Sequence, residues 1–188
     1  MTVPLTGYTS SLPSDVVLDS GVLYIGATVL GALTGGLKFD PGIEYRAIEF
    51  DGRRSPVRGL DRKSAVMPKL SGTMIQLSTT NVAQIEPGGA TNATGAWTGS
   101  TSYTGKRAGS LLVSGDYLTD VRAIWARGSG AFVQVRFPAG LLTKYDMTSQ
   151  DSAEIAIAIE IEARLPIDAS GFTNVGDMPY RIEYLAAV

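Results

Sequence analysis

A mainly β fold around one core is what the sequence predicts, on three observations. Isoleucines at 155, 157, 159 and 161 recur at every second position. Two β-prone runs, residues 121–127 and 131–137, flank Gly128-Ser129-Gly130. The chain has 188 residues, 44% of them apolar, which suits one all-β sandwich or barrel and is too hydrophobic for a disordered polypeptide.

The elements follow in chain order. Residues 21–30 read as a strand or tight hairpin bent at Gly26-Ala27. Residues 35–63 read as a long loop, with turn signals at Asp40-Pro41-Gly42 and Asp51-Gly52 and a cluster of charge. Residues 64–78 read as a strand bent near Pro68, because proline cannot donate to a sheet ladder. One short helix is expected over 80–86, capped by Thr79, Thr80 or Asn81 and stopped by Pro87-Gly88. Residues 87–109 are dominated by glycine, threonine and serine, which predicts a mobile loop or a weak edge hairpin.

The glycine-rich turn at 128–130 predicts a hairpin, with Val133, Val135 and Phe137 on one face and Gln134 and Arg136 on the other. For residues 153–165, helical geometry would scatter the isoleucines by roughly 200° per two-residue step, whereas a strand lines them up. This predicts a strand with an isoleucine face and a face of Glu154, Ala156, Ala158, Glu160 and Glu162. At ~3.3 Å per residue it would span about 40 Å. Residues 178–185 read as a final strand, with Ile182 and Tyr184 opposed to Arg181 and Glu183. Neither a fixed repeat nor a domain boundary is visible, so a single domain is expected, with residues 1–17 as an N-terminal arm.

Two absences narrow the chemistry. The chain has no cysteine and no histidine, which removes disulfides, thiolate nucleophiles, imidazole bases and the usual zinc ligands. Formal charge is −2, from 16 basic and 18 acidic residues, so the broad basic field of a general nucleic-acid binder is missing. The N-terminus lacks the basic and apolar regions of a secretory signal, and no run approaches the ~18 apolar residues of a membrane-spanning helix.

Four stretches of the sequence invite a functional reading. Gly99 to Arg107 departs from a phosphate-binding loop: five residues separate Gly99 from Gly105, and Arg107 stands where a hydroxyl is needed. Arg53, Arg54, Arg58, Arg62 and Lys63, interrupted by Asp51 and Asp61, could touch phosphates; pairing with acids on a neighbouring subunit is the preferred reading, beside a plain solvated loop. Glu154, Glu160 and Glu162 share one strand face, but no cleft or partner in the sequence recommends them for acid–base work over a polar outer face. Trp97 and Tyr103 could stack on a sugar or anchor a loop. The Asn92-Ala93-Thr94 acceptor pattern is coincidental without a secretory signal. No catalytic residue, cofactor or metal is expected, and the chain is read as not an enzyme.

The segment Leu18-Asp19-Ser20-Gly21-Val22-Leu23-Tyr24-Ile25-Gly26, followed by Gly36-Leu37-Lys38-Phe39-Asp40-Pro41-Gly42, resembles the opening of major tail tube proteins of long-tailed bacteriophages. Residues 48–62 are similar to that family's long loop between early strands. Residues 159–164 and 178–184 are similar to its late and terminal strands. The resemblance covers most of the chain and is thin over 87–109. It implies a β-sandwich with a flanking helix, whose subunits close into hexameric rings that stack into the hollow tail tube of a virion. It further implies assembly in the host bacterial cytoplasm, tape-measure, tail-terminator and baseplate or tip proteins as partners, and DNA passing without sequence recognition. On that reading Glu154, Glu160 and Glu162 would face or rim the lumen and repel DNA phosphates, and Arg53, Arg54, Arg58 and Arg62 would contact the next ring. The alternatives are another tube or ring component, such as a tail terminator or secretion-system tube protein, or a carbohydrate-binding β-sandwich.

Overall fold

Gly26 and Ala27 turn the chain between β1 (Val22–Ile25) and β2 (Thr28–Val29), the tight hairpin expected there. The computed structural model describes residues 21–31, 33–48, 58–76, 109, 111–128, 130–149, 155–165 and 178–186, and the backbone of 90–92 and 102–104. The expected helix at 80–86, the arm at 1–17, Arg53, Arg54, Trp97 and Glu154 lie outside these residues, as does most of Gly99 to Arg107.

The described chain is mainly β and antiparallel. After the first hairpin come β3 (Leu33–Asp40), β4 (Ile43–Ala47), β5 (Asp61–Val66), β6 (Lys69–Met74), β7 (Ala90–Asn92) and β8 (Ser102–Thr104). A 3₁₀ turn at Ser114–Asp116 leads into β9 (Leu118–Ala126), β10 (Phe132–Thr148), β11 (Ala156–Arg164) and β12 (Arg181–Leu185). Eight of these strands form one sheet in the order β2-β1-β9-β10-β11-β6-β3, with β12 beside β10. The two other ladders, β4-β5 and β7-β8, are two-stranded.

β10 organises the sheet. Its first part, 132–136, lies between β9 and β12, and its second part, from Ala139 to Thr148, pairs with β11. Since β9 holds one side of β10 throughout 132–140, β11 and β12 share the opposite side and lie end to end along it. Neither pairs with Phe137 or Pro138. Pro138 has no N–H to give to a ladder, which suits that junction.

The core lies inside the curl of this sheet. β1 and β3 touch although four strands separate them in the sheet order. Phe39 of β3 packs on Phe137 of β10, ring centroids 6.2 Å apart, and on Tyr180 at 5.2 Å. Leu23, Leu70, Met74, Val121, Phe137, Ile157 and Ile161 are buried around them. Gly140 makes room: a Cβ there would sit 2.9 Å from Ile161 Cγ2 and 3.1 Å from Val121 Cγ2, inside ordinary packing distance.

Several sequence expectations are met and several corrected. The 121–137 hairpin forms with Phe132 opposite Ala126. Ile157, Ile159 and Ile161 face the core, but Ile155 lies outside the strand and is exposed, so β11 begins at Ala156. The longest strand is instead β10, which runs 17 residues. Residues 35–63 are not simply a loop: they contain most of β3 and much of the β4-β5 hairpin. The expected strand at 64–78 is divided at buried Pro68 into the end of β5 and all of β6. The β7-β8 ladder matches the weak hairpin anticipated within 87–109.

Candidate functional site

The outward faces of β3, β6, β11 and the second part of β10 form one polar surface. Alternation puts Leu70, Met74, Ile157, Ile159 and Ile161 inward, which turns Lys69, Ser71, Thr73, Ala158, Glu160 and Glu162 outward. Cross-strand register aligns Lys38, Ser71, Glu160 and Lys144 in a row across four strands. A shallow depression of about 280 Å³ opens here, lined by Lys38, Ser71, Thr73, Lys144, Ala158 and Glu160 among others.

Each described glutamate on this face holds a cation. Lys69 Nζ donates to Glu160 Oε1 at 3.0 Å, and Thr143 Oγ1 donates to the same oxygen at 3.3 Å. The Lys69 hydrogen bond holds the Glu160 carboxyl below its ordinary value, against the opposing pull of burial. The same bond, with the charge of Glu160, raises Lys69 above the usual lysine value. Glu162 pairs with Arg164 at 3.1 Å, and Lys144 with Asp146 at 3.1 Å. The face expected to be acidic is therefore charge-balanced over its described part. Exposed ion pairs of this kind contribute little stability but set the surface potential.

Arginines form a second row. Register places Arg122 of β9, Arg136 of β10 and Arg181 of β12 directly opposite one another, with Tyr24 of β1 beyond Arg122. Like charges in directly opposed positions are destabilising unless an acid intervenes. Asp120 intervenes for two of them: its Oδ1 is 2.5 Å from Arg136 Nε and its Oδ2 is 3.4 Å from Arg122 Nε. Asp120 has φ +55°, left-handed backbone that an aspartate tolerates better than most residues. Its carbonyl accepts the Gly26 N–H, tying the β1-β2 turn to the cluster. Arg122 also donates to the Gly26 carbonyl, and its guanidinium lies 5.4 Å from the Tyr24 ring centre. Arg181 is exposed and makes no ion pair with any described residue.

The β4-β5 hairpin is an arm. Its strands pair with each other, and among the described residues no other strand joins their ladder. Glu44, Tyr45, Arg46, Arg58, Asp61, Arg62, Lys63 and Ser64 are all exposed on it, as is Ile48. An isolated two-stranded hairpin is marginal in water, so an arm of this kind gains from a partner. Its root is tight: the Met67 N–H donates to the Gly42 carbonyl at 3.0 Å, and Gly42 has φ +52°. Arg58 and Arg62 thus sit on a hairpin arm where the sequence reading expected a loop.

Beside the first part of β10, β12 pairs on one side with that strand and has no strand on its other side among the described residues. Its Ile182 and Tyr184 stay 48% and 73% exposed. The sequence separated these residues from Arg181 and Glu183 correctly, but not that their apolar side would lie open. Sequence reading also missed the Asp120 cluster, because the opposition of three arginines appears only once strand register is known. Among the described residues no group of acids could hold a metal ion. No family model and no curated protein sequence matches the chain.

Proposed function

We propose that the chain is a structural subunit that assembles with copies of itself into stacked rings forming a phage tail tube, with a β-sandwich-like sheet as the wall. The observation that carries this reading is the β4-β5 arm, a charged hairpin held to the sheet by a tight root and exposed at most of its described residues. Such an arm suits a contact with a neighbouring ring, where Arg53, Arg54, Arg58 and Arg62 would meet carboxylates. The open edge of β12 adds support, since edge-to-edge closure of a ring hides exposed sheet edges. The chemistry is then one of geometry and charge, with no reactive side chain, cofactor or metal.

On this reading the outward face of β9, β10 and β11 lines the channel. Ala156 and Ala158 keep it smooth, and the pairing of Glu160 with Lys69 and of Glu162 with Arg164 leaves its β11 part close to neutral. A balanced wall offers passing DNA neither a phosphate trap nor strong repulsion, while Glu154 would add acid at the rim. The partners are further copies, the tape-measure protein and the proteins closing each tube end, within the virion.

Negative-stain imaging of the concentrated protein tests the proposal. Long hollow tubes are expected. Isolated rings would favour a terminator-like role, and dispersed monomers at all concentrations would remove the reading. The combined change Arg58→Ala and Arg62→Ala is expected to shorten or abolish tubes while the subunit keeps its β circular dichroism. Lysine at 154, 160 and 162 is expected to leave tubes intact and slow DNA ejection; unchanged ejection would remove the channel assignment.

A further inference from the structure

Two strand edges stand open among the described residues, on opposite sides of β10. β9 stops pairing with β10 at Gly140, so residues 141–148 have β11 on one side and no strand on the other. β12 has only β10 beside it. The two edges carry the same alternation: Lys144-Tyr145-Asp146 and Arg181-Ile182-Glu183 each read cation, apolar, anion. Laid antiparallel, such patterns are complementary. Lys144 meets Glu183, Tyr145 meets Ile182, and Asp146 meets Arg181.

The hydrogen-bonding directions fit that register. The Ala163 N–H donates to the Pro68 carbonyl, so odd-numbered residues of β11 bond to β6 and even-numbered ones to β10. Lys144 and Asp146, opposite Glu160 and Ala158, therefore bond to β11, and Tyr145 turns its N–H and C=O to the open side. The Arg127 N–H donates to the Ala131 carbonyl, so odd-numbered residues at the start of β10 bond to β9 and even-numbered ones to β12. Arg181 and Glu183, opposite Arg136 and Gln134, are turned to β10, which leaves the Ile182 backbone facing out. The faces agree as well. Tyr145 packs toward the core and Ile182 stands beside buried Val135, whereas Lys144 aligns with Glu160 and Arg181 with Arg136 on the outward surface.

We infer that the open edge of β12 in one copy pairs antiparallel with residues 144–146 of β10 in a second copy, with Tyr145 and Ile182 as a hydrogen-bonded pair between two charge pairs. A second copy is required because the two edges face away from each other across β10, so no chain can join its own. The contact is head-to-tail, and repetition of such a contact closes a ring when the rotation allows it. Lys144 and Asp146 already pair at 3.1 Å, and Gln134 already donates to Glu183 at 2.7 Å. Docking breaks neither: it completes a square in which each charge has opposite charges as both its near neighbours, and it gives Arg181 a carboxylate. Arg127 keeps its place 5.7 Å from the Tyr184 ring centre, outside the three pairs.

As the bond between neighbours within one ring, this contact rests on the tube reading and deepens it, but its test does not depend on tubes. The chain has no cysteine, so single introduced cysteines report one contact each. Asp146 and Arg181 are both exposed, and directly opposed residues of a non-hydrogen-bonded pair sit about 4.5 Å apart at Cα, within disulfide reach. Full-length Asp146→Cys and Arg181→Cys chains, one carrying a tag that shifts its mobility, are mixed, oxidised and read as a heterodimer on a non-reducing gel. Two controls pair Arg181→Cys with Thr148→Cys, two residues out of register, and with Thr34→Cys on β3, both at exposed positions. The heterodimer is expected several-fold above both. Adding Lys144→Glu to the first chain should return it to the control level, and adding Glu183→Lys to the second should restore it. A heterodimer no more abundant than the controls, or one indifferent to the charge exchange, overturns the inference. An Arg181→Cys homodimer exceeding the mixed product overturns it too, because β12 would then pair with itself. Tubes without the crosslink would leave the tube reading standing, and the crosslink without tubes would leave this contact standing.

Discussion

Lys69 on β6 and Glu160 on β11 are two residues out of register, yet their side chains meet at 3.0 Å across the ladder. Lys69 faces Glu162 in the backbone pairing, while Glu162 itself turns to Arg164. Two acids and two bases thereby neutralise a face whose sequence spacing, Glu160-Ile161-Glu162, advertised only acid.

That pair predicts a pH dependence with two limbs. Glu160 is held below the ordinary 4.5, so its contribution is present above that value and is lost as pH falls through the lowered one. Lys69 is raised above 10.5, so its contribution is present below 10.5 and is lost as pH rises through the raised value. The melting-temperature gap between wild type and Glu160→Gln should be largest near neutral pH and shrink at both extremes. It should also shrink in about 1 M salt, where screening acts over ~3 Å. A gap that is flat from acid to alkali would show that the pair contributes nothing.

Phe137 marks where the curled sheet closes, buried and packed on Phe39. Phe137→Ala should cost about 3–5 kcal/mol, the usual price of emptying a core aromatic site. Gly140→Val fails for the opposite reason, because its Cβ would press on Ile161 and Val121. Urea unfolding should place both midpoints well below that of wild type. A Gly140→Val midpoint equal to wild type would mean that β10 and β11 can part freely.

Asp120 combines a backbone role with a charge role, and two substitutions separate them. Asp120→Asn tolerates the left-handed φ but loses the charge between Arg122 and Arg136. Asp120→Ala loses both, so it should be the less stable. The difference between Asn and wild type should narrow with added salt, whereas that between Ala and Asn should not. Equal stabilities for Asn and Ala would remove the backbone role.

How much of this was legible depends on which signals survive without register. Gly130 announced the β9-β10 hairpin because its φ of +77° suits glycine, and the isoleucines of β11 announced a core face because alternation is local. β10 beyond Phe137 was hidden by Pro138 and by the irregularity between Leu142 and Lys144, which breaks the period of two. β4 and β5 were hidden because Glu44, Tyr45 and Arg46 are all exposed in succession, so no buried face imposes an alternation. The arginine row joins the β9-β10 hairpin to β12 near the other end of the chain, so it shows only when strand register is known.

Gly42 predicts how the arm depends on its root. Its φ of +52° disfavours any side chain, and an added Cβ would lie 2.1 Å from the Met67 carbonyl oxygen. That atom is backbone, so the clash cannot be relieved by a rotamer change. Gly42→Ala must therefore open the pairing between Gly42 and Met67, from which β4 and β5 leave the sheet. The core strands do not use this turn, so thermal unfolding should fall only modestly while the hairpin loses its fixed direction. If the arm joins rings, Gly42→Ala should leave a folded subunit that forms rings and short stacks but no long tubes. The comparison with Gly35→Ala isolates the effect, because Gly35 also has positive φ, +72°, but its added Cβ meets nothing. Long tubes from Gly42→Ala, or equal damage from both substitutions, would show that the arm's direction has no part in assembly.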